Sequence, residues 1–82
     1  MRIELSGRAL RFLGRCSEQT ARRLERAFHE LESGSLPIVE SPTIPSYGYV
    51  FLGDYTLGMT VDVERHRVVI QKIGRSRSQE PF

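Results

Sequence analysis

The stretch from Tyr47 to Arg75 leaves this chain few options. Apolar residues alternate with small or polar ones in three short runs, 47–52, 55–61 and 66–73. In the middle run Tyr55, Leu57, Met59 and Val61 fall on one side and Thr56, Gly58 and Thr60 on the other. That is the period-two pattern of a strand with one covered face. Gly53-Asp54 and the segment 62–65 separate the runs at hairpin distances. The pattern predicts a three-stranded antiparallel meander. A meander this short needs a layer over its apolar face to be stable.

The first half supplies that layer. Residues 2–5 alternate, with Ile3 and Leu5 against Arg2 and Glu4, and read as a short strand. Ser6 is placed to cap a short helix carrying Ala9, Leu10, Phe12 and Leu13, and Cys16 continues the same apolar set. Residues 14–17 break it. Ser17 caps a second helix over 18–32, with Glu18 in its positive first turn. There Ala21, Leu24, Ala27, Phe28 and Leu31 recur at steps of three and four until Ser33-Gly34 ends the helix. Residues 34–46 hold Pro37, Pro42 and Pro45, so they form an ordered crossover with extended pieces.

The order β-α-α-β-β-β predicts an α+β fold in one domain over 1–82: a two-helix hairpin packed on one face of a small antiparallel sheet. The expected core joins Leu10, Leu13, Leu24, Phe28, Leu31, Tyr55, Leu57 and Met59. The polar tail from about 75 is expected to be loose. The opposite sheet face, read as Val50, Leu52, Thr56, Gly58 and Thr60, is left uncovered and is the default place for function.

Composition narrows the class. A chain this size buries only about 60–65% of its unfolded surface, so a partner covering one face would supplement its stability. No apolar run approaches the ~18 residues of a membrane span, and charges stand where a signal peptide would be apolar, so a cytoplasmic location is expected. The single cysteine rules out a disulfide within these residues and any cysteine-cluster metal site. No metal-ligand spacing or Gly-rich phosphate loop is present, so no cofactor or metal is expected. Net charge is +2, yet eleven of the twelve basic residues are arginine. Seven fall between Arg2 and Arg26 and five between Arg65 and Arg77, while 34–60 hold none. Clustered arginine points to a nucleic-acid or acidic-protein surface. On the helices, ion pairs such as Arg22 and Arg26 near Glu18 and Glu30 account for part of it.

The chain runs Ile3-Glu4-Leu5-Ser6-Gly7-Arg8-Ala9-Leu10 at its start. Later come Tyr49, Gly53-Asp54-Tyr55, Asp62-Val63-Glu64, Val68-Val69-Ile70 and Ile73-Gly74-Arg75. This series resembles the RelE/ParE superfamily of type II toxin–antitoxin toxins over about 2–77. In that family a strand enters a helix at Ser-x-Arg-Ala-Leu. Tyr-Arg pairs, a Gly-aromatic turn, an acidic turn and Gly-His/Lys-Arg then follow.

The resemblance implies a cognate antitoxin as partner and a target in translation or mRNA, with DNA gyrase as the alternative. It implies no membrane. The ribosome-dependent nucleases of the family neutralise the scissile phosphate with Arg and Lys and move protons with neighbouring groups. Their basic and tyrosine positions correspond here to Val50, Leu52, Thr56, Ser76 and Phe82, which are all uncharged. That departure argues against the usual catalytic mode. The remaining candidates are Lys72, Arg75, Arg77 and Arg65 for nucleic-acid binding, and His66, Arg75 and Arg77 for catalysis. Three activities stay open: an mRNA interferase, a gyrase inhibitor without chemistry, and a catalytically silent toxin-fold protein that binds a partner.

Overall fold

Both helices begin where the sequence puts a serine. In the computed structural model, which describes residues 1–75, the Ser6 and Ser17 hydroxyls accept hydrogen bonds from the Ala9 and Thr20 amides at 3.2 and 3.1 Å. Each occupies an amide that a helix start otherwise leaves unpaired. In chain order the elements are β1 (Arg2–Leu5), α1 (Gly7–Arg15), α2 (Glu18–Glu32), β2 (Val39–Glu40), β3 (Tyr47–Phe51), β4 (Tyr55–Asp62) and β5 (Arg67–Arg75). Gly34, at φ 78°, lets the chain turn out of α2 in the left-handed conformation that glycine adopts freely.

The strands form one five-stranded sheet in the order β1-β5-β4-β3-β2. The α+β class and the predicted meander hold. Two features extend it. β1 lies beside β5 and parallel to it, so the sheet is mixed rather than wholly antiparallel. The proline-rich crossover contributes β2, two residues that pair with Gly48 and Tyr49 at the far edge. An edge strand needs hydrogen bonds on one side only, which is why a proline-flanked segment can serve.

Leu24, Phe28 and Leu31 of α2 share one core with Ala9 of α1 and with Val50, Tyr55, Leu57, Met59, Val68, Ile70 and Ile73 of the sheet. Leu13 packs against this cluster, and Phe12 meets the Tyr55 ring edge-on at 5.9 Å. Leu10 departs from the expected core and is 55% exposed. The inward face of α1 is Ala9, Phe12, Leu13 and Cys16; at about 100° per residue, Leu10 falls a quarter-turn off it.

The first strand of the meander also faces the other way from the expectation. Val50 is 1% exposed and lies in the core, and Leu52 packs against it. The open side of β3 is Tyr47, Tyr49 and Phe51. The hairpin turn explains this. Gly53, at φ 71°, sits at the first turn position and the loop is two residues long, which pairs Phe51 with Thr56 and Val50 with Leu57.

Truncating Leu24 or Leu57 to Ala should cost about 2–5 kcal/mol in denaturant unfolding. Leu10→Ala should stay within about 0.5 kcal/mol of the parent. A Leu10 effect as large as that of Leu24 would overturn this orientation of α1.

Candidate functional site

The helices leave one sheet face open, and that face is shaped by an irregularity in β5. Core residues there run Val68, Ile70 and then Ile73, a step of three where alternation requires two. Met59 pairs with Ile70 and Gly58 with Lys72, so Gln71 has no opposite residue on β4. This β-bulge turns Lys72 to the open side, where strict alternation would bury it. Ser6 holds the bulge. Its amide donates to the Ile70 carbonyl and its hydroxyl to the Gln71 carbonyl, both at 3.0 Å. The Gln71 side-chain amide donates to the Thr60 hydroxyl at 3.3 Å.

Beside the bulge lies a shallow hollow of about 150 Å³. It is lined by Tyr47 and Tyr49 from β3, Thr56 and Gly58 from β4, and Lys72, Gly74 and Arg75 from β5. Tyr49, Gly58 and Lys72 form one row across the sheet, and Thr56 and Gly74 form the next. The hollow exists because two of the central positions are glycine. At Gly58 the Tyr47 hydroxyl occupies the place that a Cβ would take, whereas a Cβ at Gly74 would meet nothing within 4 Å. The Tyr47 and Tyr49 rings meet edge-on at 5.4 Å, and Tyr49 stacks toward Phe51 at 6.4 Å.

Among the described residues, two cations and no carboxylate line the hollow. Desolvation holds the Tyr47 hydroxyl pKa above its ordinary value of 10.0, neighbouring Tyr49 adds to this, and the Arg8 charge opposes it. Tyr47 is therefore a neutral phenol near pH 7, able to donate a hydrogen bond. The arrangement can bind an anion and polarise it. Among the described residues no histidine or carboxylate stands there to take a proton.

The sequence-derived candidates are divided by the structure. Lys72 and Arg75 lie together at the hollow. His66 and Arg65 occupy the β4–β5 turn, at the opposite end of β5. Nine residues separate His66 from Arg75, or roughly 25–30 Å along a strand, so one small substrate group cannot touch both. His66 is exposed and takes a left-handed backbone, φ 51°, with its carbonyl accepting from the Arg2 amide at 2.8 Å. Arg65 is engaged within the turn, its amide 3.3 Å from Asp62 Oδ1 and its Nε 3.7 Å from Asp62 Oδ2. Arg77, Ser76 and Phe82 lie outside the described residues. Among the described residues no three His, Cys, Asp or Glu side chains gather to hold a metal, and no helix is long and apolar enough to cross a membrane.

Sequence reasoning missed Tyr47 and Tyr49 as site residues. The available signals were the two-residue turn, which fixes the hairpin pairing, and the broken alternation at Val68, Ile70 and Ile73.

Neither a family model nor a curated protein sequence matches the chain. Solved structures do. The intact E. coli RelBE toxin–antitoxin complex contains a chain that superposes with a TM-score of 0.76 at 18% identity, covering 93% of this chain and 96% of that one. The isolated E. coli RelE toxin gives 0.74 at 20% identity, covering 95% and 87%. The archaeal RelE–RelB complex from Pyrococcus horikoshii OT3 gives 0.74 at 16% identity, covering 96% and 97%. The fold is that of the RelE toxins.

Two outcomes follow from Tyr47. Raising the pH past 10.0 should destabilise the protein, because the unfolded chain ionises this hydroxyl before the folded one does. The contribution is complete below the ordinary value and is lost as pH climbs through the raised folded pKa, so Tyr47→Phe should flatten that part of a stability–pH curve. Gly58→Val should displace the ring and return its absorbance titration toward the ordinary tyrosine range. An unchanged titration would mean that Tyr47 does not lie over Gly58.

Proposed function

We propose that this protein is the toxin component of a type II toxin–antitoxin module and that it acts on translation by holding RNA on its open sheet face. The observation that carries this reading is the hollow: Lys72 and Arg75 beside two tyrosines, with no acid among the described residues of its lining. Clustered cations on an open face suit a phosphate backbone. The RelE fold supports a toxin role, and the solved RelE–RelB complexes support an antitoxin as partner. An acidic or amphipathic antitoxin segment would neutralise arginines and cover apolar surface such as Val39, Ile44 and Phe51, each about half exposed.

In an mRNA interferase reaction, Lys72 and Arg75 would neutralise the phosphate and the Tyr47 phenol would donate to a phosphate or leaving oxygen. The proton acceptor would come from the ribosome. Free RNA should therefore be cut slowly or not at all. A second reading, inhibition by binding alone, is favoured by the distance of His66 from the hollow. It includes both gyrase inhibition and a catalytically silent partner-binding protein.

Induced expression without an antitoxin should arrest growth, and mRNA on ribosomes should be cleaved or stalled. Lys72→Ala with Arg75→Ala should abolish the arrest and leave the melting temperature nearly unchanged, because both side chains are exposed. Arrest that persists in this variant would overturn the site. Lost DNA supercoiling with intact mRNA would reassign the target to gyrase.

A further inference from the structure

The open face carries aromatic rings where a purely electrostatic RNA site would carry more cations. Tyr47, Tyr49 and Phe51 stand at alternate positions of β3, so they rise along one side of the strand at about 6.8 Å per step. The Tyr47–Tyr49 and Tyr49–Phe51 centroids are 5.4 and 6.4 Å apart. Bases in a stacked helix are spaced by about 3.4 Å, roughly half the step of this row. A stacked strand cannot match it ring for base, whereas a splayed single strand can. Two of these rings line the hollow that also holds Lys72 and Arg75. Gly58 lies between Tyr49 and Lys72 in the same cross-sheet row, and the Tyr47 ring lies over it where a side chain would stand.

We propose that Tyr47 and Tyr49 are a stacking platform for unpaired RNA bases, with Lys72 and Arg75 holding the phosphates of the same nucleotides. The inference rests on the RNA reading above and deepens it by naming the ligand as a splayed single strand. Aromatic rings beside cations are the combination that binds single strands, because every base has a face to stack and every nucleotide a phosphate to pair. Bases in a duplex hide their faces, so paired RNA meets only the cations. The bulge and the glycines gain a common purpose: the bulge turns a cation outward, Gly58 seats the Tyr47 ring beside it, and Gly74 leaves open space next to them.

The test uses the full chain with three probes: a ten-nucleotide oligouridylate, the same backbone with abasic sugars, and an RNA duplex. The oligouridylate should bind best and should quench tyrosine fluorescence, which is readable because the chain has no tryptophan. Tyr49→Ala should weaken its binding by about fivefold or more, within the range for loss of one base–aromatic stack, and leave the salt dependence unchanged. Tyr49→Phe should restore the affinity. Lys72→Ala should instead shallow the slope of log affinity against log salt by about 0.7, the share of one phosphate on a single strand.

Equal affinity for the oligouridylate and its abasic backbone, or full affinity in Tyr49→Ala, would overturn the platform. If Lys72 and Arg75 still mattered in that case, the RNA reading itself would stand. Loss of all dependence on Lys72 and Arg75 would overturn both. A deoxyribose version that bound equally well would overturn the assignment to RNA and leave a platform for single strands of either sugar.

Discussion

One hydroxyl ties the helical layer to the working face of the sheet. Ser6 accepts from the Ala9 amide, which starts α1, and donates to the Gln71 carbonyl, which belongs to the bulge. A hydroxyl can donate once and accept twice, so the two roles do not compete. Serine caps are worth about 1 kcal/mol each. The geometric consequence is larger than the energy. The bulge changes the phase of β5, so Val68 and Ile70 face the helices before it and Ile73 faces them after it. Lys72 is set free on the opposite side. Without that change of phase, either a lysine would be buried in the core or Ile73 would be exposed, and both cost more than the cap contributes.

The elements of this fold were legible because their signals are local. Capping serines, steps of three and four, and period-two alternation need no knowledge of distant contacts. The parallel placement of β1 beside β5 was not legible in this way, since it depends on sixty residues of intervening chain. The orientation of β3 was legible in principle. A two-residue turn with Gly53 at its first position pairs Leu52 with Tyr55 and fixes every pair behind it. Reading Val50 outward contradicts that turn by one residue, and a slip of one residue exchanges the two faces. The site suffered most from this slip, because it moved two tyrosines out of view and put an aliphatic residue in their place.

The distribution of charge separates roles that composition alone merges. On α2, Arg22 lies 2.8 Å from Glu18, and Arg23 lies 3.7 Å from Asp54 at the β3–β4 turn. These exposed pairs contribute about 0–1 kcal/mol each. Arg67 pairs with Glu4 at 3.2 Å across β1 and β5 and is less exposed. α1 differs. Its nine residues include no acid, and Arg8, Arg11 and Arg15 recur at steps of three and four along one side. Of these, the Arg8 charge opposes the upward shift of the Tyr47 hydroxyl pKa.

That influence links two basic regions far apart in sequence. Lys72 and Arg75 approach the hollow from β5, and Arg8 adds its field from the first turn of α1. Ser6, two residues before Arg8, fixes both the start of that helix and the bulge behind Lys72. Exposed cations contribute little to stability in water, so a chain of this size can carry them on one face with small loss. Their attraction for a ligand grows as the ligand excludes water from around them. Flat aromatic groups assist that exclusion, because they present apolar area without a strongly held hydration shell. A face that combines the two gains most from a ligand that is anionic along one edge and planar along the other.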